Sequence, residues 1–331
     1  MKRPTRTDVA RLAGTSTAVV SYVINDGPRG VSPERRERVL AAMKELGYQP
    51  NAIARSLSSA RTNTIGMIVP NISNGYFAEL ALAVEEAAME RGLLVFLGNS
   101  SELRSREDSY VTSFVSQRVD GVIVVGVDDD SPAVRPLLDA GVPVVALDRI
   151  PAGGRARGIS IDHQAAAYAA TRHLVEHGYR RIWCLTGPAG QSVADQRLDG
   201  WAAALRDGGL APEEQQVCRA PFSLEGGIDG YRSLPVTSGD DLAALFAASD
   251  EQARGVITEA GRRGVLVPRD LAIASVDGTR EGAFSNPPLT SVRQPFADLA
   301  REAIAALVRR STGPPVILDA QLRLGRSCGC P

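Results

Sequence analysis

The feature that most constrains the fold is a regular alternation of short apolar runs with helical segments, which begins at Ile65. A strand followed by a helix that returns the chain to the same end of the sheet builds a parallel sheet with helices on both faces. We therefore predict an α/β, doubly wound architecture for most of the chain. The runs that we interpret as strands lie at residues 65–69, 93–97, 121–125, 142–147, 182–185, 242–247 and 271–276, with helices starting near residues 76, 105 and 133.

One break divides this region. Residues 150–158 are rich in Gly, Pro and Arg, and the alternation resumes at Ile161. Because a single hydrophobic core rarely grows beyond roughly 250–300 residues, the break indicates two lobes, each with its own sheet. We expect the first lobe to contain about residues 62–158 plus 293–331 and the second about residues 159–292.

Acidic residues follow several of the predicted strands. Asp148 and Asp277 each come directly after an apolar run, and Asp250 follows an Ala-Ala-Ser segment. Open parallel sheets bind their ligands beyond the carboxyl ends of the strands, where carboxylates can accept hydrogen bonds from hydroxyl or amino groups. Aromatic rings can cover the apolar side of such a ligand. Candidates for this role are Tyr76, Phe77 and Phe222, although aromatic side chains are also frequent in cores.

The first fifty residues have a different pattern, typical of short helices. Thr7 is predicted to cap a first helix that ends at Gly14. Ser16 is predicted to cap a second helix that runs from Thr17 to about Asn25. The short turn between them predicts a helix-turn-helix.

The packing of these helices can also be anticipated. Ala10, Gly14 and Val20 supply the small residue, the turn residue and the β-branched residue that two closely crossing helices need. The Ser-Pro-Glu sequence at 32–34 predicts a cap at Ser32 and the start of a third helix, which Gly47 ends. In such a head the second helix enters the major groove of DNA. Its exposed candidates for contact are Thr17, Ala18, Ser21, Tyr22 and Asn25.

Charge is distributed unevenly along the chain. Residues 1–60 contain ten Lys and Arg against five Asp and Glu, whereas the whole chain has a net charge of −1. A basic head on a mildly acidic body suggests that the head meets a polyanion, although an ordinary solvated surface is also compatible with this charge.

The segment between the head and the first strand is too short to form a stable helix alone. It contains a cap at Asn51, helix-forming alanines that include Ala54, and one prominent apolar residue, Leu57. An apolar side chain on a small-residue helix can insert into a minor-groove base step, with Arg55 near a phosphate. The alternative is a plain interdomain linker.

In these features the sequence resembles the LacI/GalR family of bacterial transcription regulators. The resemblance implies a helix-turn-helix head at residues 1–49 and a hinge helix and linker at 50–61. It implies an effector-binding and dimerisation domain at 62–331, which we call the sensor domain. This domain should have a two-lobed fold like that of periplasmic binding proteins. The resemblance also implies a homodimer on an inverted-repeat operator in double-stranded DNA, with Leu57 kinking the centre. In the head and the segment after it, the resemblance rests on residues 8–16, 20–21, 46–57 and 61–66. The residues implied in DNA binding are Thr7, Ser16, Thr17, Ala18, Ser21, Tyr22, Asn25, Arg35, Asn51, Ala54, Arg55 and Leu57.

The resemblance extends through the sensor domain, in segments 71–77, 147–149, 187–201, 267–270 and 289–295. It departs at Val19, where the family more often has threonine, at His163, where it tends to have asparagine, and at the short, polar stretch 233–245. Arg197 is the leading candidate for the ligand site, because a planar guanidinium binds a hydroxyl pair or a carboxylate with two hydrogen bonds. The effector contacts that the resemblance implies are Tyr76, Phe77, Asp148, Gln191, Arg197, Phe222, Asp250 and Asp277. A sugar fits this set, and a purine or another polar metabolite fits nearly as well.

Two other classes of protein use similar sheets. A nucleotide-dependent enzyme needs a glycine-rich phosphate loop, and neither G-x-G-x-x-G nor a lysine-bearing loop is present, since no lysine follows Lys44. An exported solute-binding protein needs a signal peptide and has no use for a basic head. We therefore expect a cytoplasmic regulator that is not an enzyme, uses no cofactor and spans no membrane. The resemblance implies that a tetramer would need an added C-terminal helix with heptads. Nothing apolar and periodic follows Leu324, so we expect a dimer.

One motif points elsewhere. His173 and His177 fit the H-x-x-E-H pattern of some zinc proteases. Gly178 follows at once, however, and a histidine in a last helical turn is favoured by the helix dipole, so we interpret both as structural and expect no metal. Cys328 and Cys330 could form a soft-metal or redox site, but only two ligands lie together there. We therefore expect them to belong to a frayed tail, because termini are usually poorly ordered.

Overall fold

The computed structural model describes residues 4–25, 30–49, 61–125, 134–148, 156–234 and 243–331. The chain divides into two compact units, Met1–Asn63 and Thr64–Pro331. The predicted hinge helix, with Asn51, Ala54, Arg55 and Leu57, lies outside the described residues, as does most of the polar stretch that was expected to depart from the family. Among the residues described, no helix combines the length and the apolar character needed to cross a membrane.

In its described residues, the N-terminal unit has three helices around a small core. They are α1 (Arg6–Leu12), α2 (Thr17–Asn25) and α3 (Pro33–Leu46). Gly14, in the turn between the first two, has a φ of 60°, a conformation that glycine adopts without strain. The buried apolar side chains are Val9, Ala10, Ala13, Val20, Val23, Val39 and Ala42. The predicted helix-turn-helix and its third helix are confirmed.

The cap predicted for α1 is wrong by two residues. Thr5, not Thr7, is the N-cap: its Oγ1 accepts a hydrogen bond from the backbone N–H of Asp8, and the carboxylate of Asp8 accepts one from the N–H of Thr5 at 2.9 Å. This reciprocal pair needs an acid three residues after the cap, which Thr5 has and Thr7 lacks. The caps predicted at Ser16 and Ser32 are confirmed, since each hydroxyl accepts from the backbone three residues later.

Across the part of the C-terminal unit that the structure describes, the strands form two six-stranded sheets. The first has the order β11-β5-β4-β3-β1-β2, with all described pairings parallel. Its strands are β1 (Thr64–Val69), β2 (Leu94–Asn99), β3 (Gly121–Val124), β4 (Val144–Leu147), β5 (Arg157–Ile161) and β11 (Val316–Leu318). The second has the order β12-β10-β9-β8-β6-β7 and is parallel except for the pair β10–β12. Its strands are β6 (Arg181–Thr186), β7 (Val217–Arg219), β8 (Ala243–Ala247), β9 (Ala272–Asp277), β10 (Thr290–Arg293) and β12 (Gln321–Arg323).

Helices cover both faces of each sheet, as the alternation predicted. On the first sheet, α4 (Gly75–Met89) and α12 (Phe296–Arg309) share one core, while α5 (Arg104–Gln117) and α6 (Val134–Asp139) pack in another. On the second, α7 (His163–Glu176) and α8 (Ser192–Asp207) share one core, while α9 (Leu224–Ser233) and α10 (Asp250–Arg262) share the other. A short helix, α11 (Arg280–Ala283), follows β9.

Among the described residues, the chain passes between the lobes three times, and this corrects the predicted lobe boundaries. Strand β5 pairs with β4, so the first lobe extends to Ile161 rather than ending at residue 158. Strand β12 pairs with β10, so the chain returns to the second lobe after Leu318. The reason is sheet pairing: the last residues complete an edge of the second sheet instead of remaining with the first.

The C-terminal tail is not frayed, contrary to expectation. The Oγ of Ser327 accepts a hydrogen bond from the N–H of Thr290 at 2.9 Å and donates one to the carbonyl of Ile273 at 2.7 Å. Cys328 is fully buried. These contacts join the tail to two central strands of the second lobe.

Glycine allows close packing of α9 against α10, which leads to a prediction on stability. A Cβ at Gly255 would lie 2.2 Å from the carbonyl oxygen of Leu224 and 2.8 Å from the Cα of Gly227. Gly255→Ala is therefore expected to lower the free energy of unfolding by about 3 kcal/mol, because backbone cannot yield as a flexible side chain does. Urea unfolding followed by circular dichroism measures this change.

Gly261 on the same helix is the matched control. A Cβ there would meet no atom within 4 Å. Gly261→Ala is expected to raise the free energy of unfolding by up to about 1 kcal/mol, the gain in helix propensity. Equal effects of the two alanines would contradict the close packing described.

Candidate ligand cleft and DNA-binding surface

A small cavity lies where the two lobes face each other. Its lining comes from both lobes, and from the carboxyl ends of strands as expected: Asp148 follows β4 and Asp277 ends β9. The lining residues are Asn74, Tyr76, Phe77, Asp148, Val193, Arg197, Phe222, Ser249 and Asp277. The cavity measures about 40 Å³, far below the roughly 300–1,000 Å³ of typical ligand pockets, so a sugar-sized molecule enters only if the lobes move apart.

Arg197 lies at the centre of the polar side of this cavity. It points inward from α8 and is 3% exposed. Its Nη2 lies 3.5 Å from Oδ1 of Asp277, and its guanidinium lies over the ring of Phe222, 5.8 Å from the centroid. It also donates to the carbonyl of Ala248. A charged fork anchored in this way is preorganised to bind a polar ligand.

His163 connects Arg197 to the first lobe. The Nη2 of Arg197 lies 3.2 Å from Nδ1 of His163, whose Nε2 lies 3.0 Å from Oδ1 of Asp148. Because an arginine only donates hydrogen bonds, Nδ1 must accept, which leaves Nε2 to carry the proton of the ring, near the hydroxyl of Ser160 at 3.1 Å and the carboxylate of Asp148. A continuous polar chain thus crosses the boundary between the lobes.

Sequence reasoning missed His163 as a site residue and noted it only as a departure from the family, which tends to have asparagine there. The available signal was its place as the first residue of α7, just after β5, at the point where the chain changes lobes. Asn74 was also missed. Its Nδ2 donates to the carbonyl of Phe222 at 3.0 Å, a direct bond between the lobes.

Asp250 does not line the cavity, contrary to its predicted role as an effector contact. Its Oδ1 accepts from the hydroxyls of Ser275 and Ser291, both at 2.6 Å, and its Oδ2 accepts from the N–H and hydroxyl of Thr279. Both oxygens are satisfied within the second lobe, so this carboxylate holds β9, β10 and α11 together. Gln191, at the N-cap of α8, is likewise not among the lining residues and stays a prediction.

Burial is the main cause that raises the pKa of Asp277 to about 8; Asp250 and Asp148 act in the same direction, whereas Arg197 opposes it. Since the unfolded value is about 3.9, the folded state binds more protons between the two values. The free energy of unfolding contributed by this group therefore falls as the pH rises from about 4 to about 8.

Asp277→Asn is expected to remove this part of the pH dependence. Urea unfolding between about pH 5 and 8 measures it, and the wild type should lose more stability over this range than the variant, with a difference in slope of up to about 1.4 kcal/mol per pH unit. Asp298→Asn, on an exposed side chain paired with Arg301, is the control and should leave the slope unchanged. Parallel curves for wild type and Asp277→Asn would contradict the assignment.

The N-terminal unit presents the predicted DNA-contacting residues on its surface. Thr17 and Ala18, in the first turn of α2, are exposed, as is Arg35 on α3, while Ser21 and Tyr22 are partly buried. Thr7 and Ser16 are also exposed, the latter as the cap of α2. The side chain of Asn25 lies outside the described residues.

Comparisons with known proteins agree with this arrangement. Residues 5–51 match the family profile of bacterial regulatory proteins of the lacI family, and residues 171–328 match a periplasmic binding protein-like domain. The chain is 35% identical to the ribose operon repressor of Escherichia coli strain K12 over 94% of both chains, and 34% identical to catabolite control protein A of Priestia megaterium over 91% of both.

Solved structures give the same result. The lac repressor dimer bound to operator and the anti-inducer ONPF superimposes with a TM-score of 0.83 at 26% identity, covering 99% of each chain. The CelR–cellobiose complex, a transcriptional regulator, superimposes with a TM-score of 0.71 at 31% identity, covering 98% of this chain and all of the other. A helix-turn-helix head joined to a two-lobed periplasmic-binding-protein-like domain, with relatives above 30% identity along nearly the full length, establishes that this chain belongs to the LacI family of bacterial regulatory proteins.

Proposed function

We propose that this chain is a transcriptional repressor that binds an inverted-repeat operator as a homodimer and whose operator affinity is set by a small polar effector, most simply a sugar. One observation carries the proposal: a DNA-reading head shares the chain with a two-lobed unit whose cleft is lined by acids, aromatic rings and a buried arginine. A protein with this role acts in the cytoplasm, where the operator is.

The effector site that we propose is centred on Arg197. Asp148, Asp277 and the Arg197 fork offer acceptors and donors for adjacent hydroxyl groups, and Phe222 and Tyr76 offer apolar faces. Phe77 completes the aromatic side of the cavity. A ligand rich in hydroxyl groups satisfies this lining on both its polar and its apolar side. Two relatives, a ribose operon repressor and a regulator in complex with cellobiose, support a sugar as the effector.

The head, residues 1–49, is proposed to place Thr17, Ala18, Ser21, Tyr22 and Asn25 against base edges in the major groove, with Thr7, Ser16 and Arg35 near phosphates. Residues 50–61 are proposed as the hinge, with Leu57 entering the minor groove. The two hinges of a dimer would fold against DNA in one arrangement of the lobes and not in the other. The effector then changes operator affinity through its different affinity for these arrangements, by a coupling that is typically about 1–3 kcal/mol.

Two measurements test the proposal. Selection of genomic fragments by the full-length chain should enrich a palindromic sequence, with an affinity that falls steeply with salt because phosphate contacts release counterions. A thermal-shift screen of sugars, purines and other polar metabolites should find a compound that stabilises the chain and alters this affinity. Failure to enrich any sequence at low salt, with and without every stabilising compound, would overturn the proposal.

A further inference from the structure

The C-terminal tail brings together four potential metal ligands far from the ligand cleft. His173 and His177 lie one turn apart near the end of α7, and Cys328 and Cys330 approach them from the tail. The two imidazole nitrogens and two sulfurs all lie within 4.8 Å of one another. We call these four residues the Cys-His cluster.

The distances within the cluster agree with a tetrahedral metal site. The Nε2 of His173 lies 3.3 Å from Sγ of Cys328 and 3.6 Å from Sγ of Cys330, and the Nε2 of His177 lies 3.3 Å from Sγ of Cys330. With Zn–S bonds of about 2.3 Å and Zn–N bonds of about 2.0 Å, a regular tetrahedron separates nitrogen from sulfur by roughly 3.5 Å. These three separations match a single ion bound among the four atoms, and the remaining pairs lie within 4.8 Å.

The backbone of the tail is built to present both sulfurs to the same side. Gly329, between the cysteines, has a φ of 97°, which a residue with a side chain rarely adopts. A Cβ at Gly329 would also meet the hydroxyl of Tyr179 at 3.1 Å, and this hydroxyl donates to the carbonyl of Cys328 at 3.2 Å. The arrangement is thus fixed by contacts outside the cluster.

The types of donor indicate which metal fits. Two thiolates with two imidazoles are typical of structural zinc sites, whereas calcium and magnesium prefer oxygen ligands. The four ligands come entirely from the protein, which leaves no position for substrate and argues against a catalytic site. The H-x-x-E-H pattern in α7 therefore does not need a protease to explain it.

We propose that His173, His177, Cys328 and Cys330 bind one zinc ion, which fastens the C-terminal tail to α7. The tail carries β12, which completes the edge of the second sheet, and Ser327, which bonds to β9 and β10. Helix α7 begins at His163, which contacts Arg197 of the ligand cleft. Zinc is therefore expected to stabilise the lobe that contains Arg197. The inference does not depend on DNA binding, and its test uses none.

The experiment measures metal on the full-length chain, purified with its thiols reduced by a phosphine that binds zinc weakly. Zinc added to the metal-free protein should bind at one equivalent per chain. Cobalt(II) in its place should give the visible bands of tetrahedral cobalt and a sulfur-to-cobalt charge-transfer band. Zinc should also raise the melting temperature, because the folded chain holds the four ligands together whereas the unfolded chain has no preformed site.

Cys330→Ser and His177→Gln are the informative variants, because Cys330 is only partly buried and His177 is exposed, so both should fold. Each is expected to lower zinc affinity at least about 100-fold and to abolish the zinc-dependent rise in melting temperature. Cys218→Ser is the control, since Cys218 lies outside the cluster, beside Ser233. This variant should bind zinc and cobalt as the wild type does.

Three results would overturn the proposal. The reduced wild type could fail to bind zinc stoichiometrically. Cobalt could bind with a six-coordinate spectrum, or with a spectrum that Cys330→Ser leaves unchanged. Mass spectrometry could instead show that Cys328 and Cys330 remain joined as a disulfide in the presence of the reductant, which would make the pair a redox element.

Discussion

Arg197→Lys is expected to lower effector affinity at least about 100-fold while the chain still binds its operator in the absence of effector. Lysine keeps the positive charge but loses the planar fork, so its ammonium cannot contact His163, Asp277 and a ligand at the same time. Loss of two charge-assisted hydrogen bonds, each worth about 1.5–3 kcal/mol, accounts for an effect of this size. Isothermal titration with the effector identified by thermal shift measures it.

Arg219→Lys is the matched control for this substitution. Arg219 also pairs with an aspartate, Asp195, at 2.9 Å, but both side chains are about a third to a half exposed. Exposed ion pairs contribute about 0–1 kcal/mol, so effector affinity should change less than about fivefold. If Arg197→Lys and Arg219→Lys bind effector equally well, Arg197 is not the centre of the ligand site.

The second large effect is expected in the head. Ala18→Glu places a carboxylate on the exposed face of the first turn of α2, the helix that we propose enters the major groove. Repulsion by the phosphates and loss of close approach to the bases are expected to weaken specific operator binding at least about 100-fold. Effector affinity should be unchanged, because Ala18 belongs to a separate compact unit.

Ala41→Glu makes the same change of charge at an exposed position in the middle of α3. It alters the net charge of the head equally, so it isolates the effect of position from that of overall charge. Fluorescence anisotropy with labelled operator should show a loss of less than about fivefold for this variant. Comparable losses for the two variants would mean that α2 does not read DNA.

The regular elements could be predicted because each depends on local sequence. The apolar runs became strands within one or two residues of their expected bounds, as with residues 65–69 and β1 (Thr64–Val69). Glycine and serine marked the ends of the head helices for the same reason. The cap at Thr5 was missed because Thr7 is the same residue type, and only the acid at Asp8 distinguishes them.

The remaining features depend on residues far apart in sequence. The carboxylate of Asp250 lies at a predicted strand end, yet contacts with Ser275, Thr279 and Ser291 direct it into the lobe instead of the cleft. His173 meets Cys328 only because β12 pairs with β10, and no local pattern encodes that pairing. Sequence periodicity therefore predicts the sheets, whereas the exact membership of each site follows from tertiary contacts.

The most direct test of the whole account is a thermodynamic cycle on the full-length protein. Effector affinity is measured with and without saturating operator, and operator affinity with and without saturating effector. If cleft and head are coupled through the same two arrangements, the two ratios must be equal and differ clearly from one, by roughly 5- to 150-fold for a typical coupling. Two ratios equal to one would show that the ligand in the cleft does not control DNA binding.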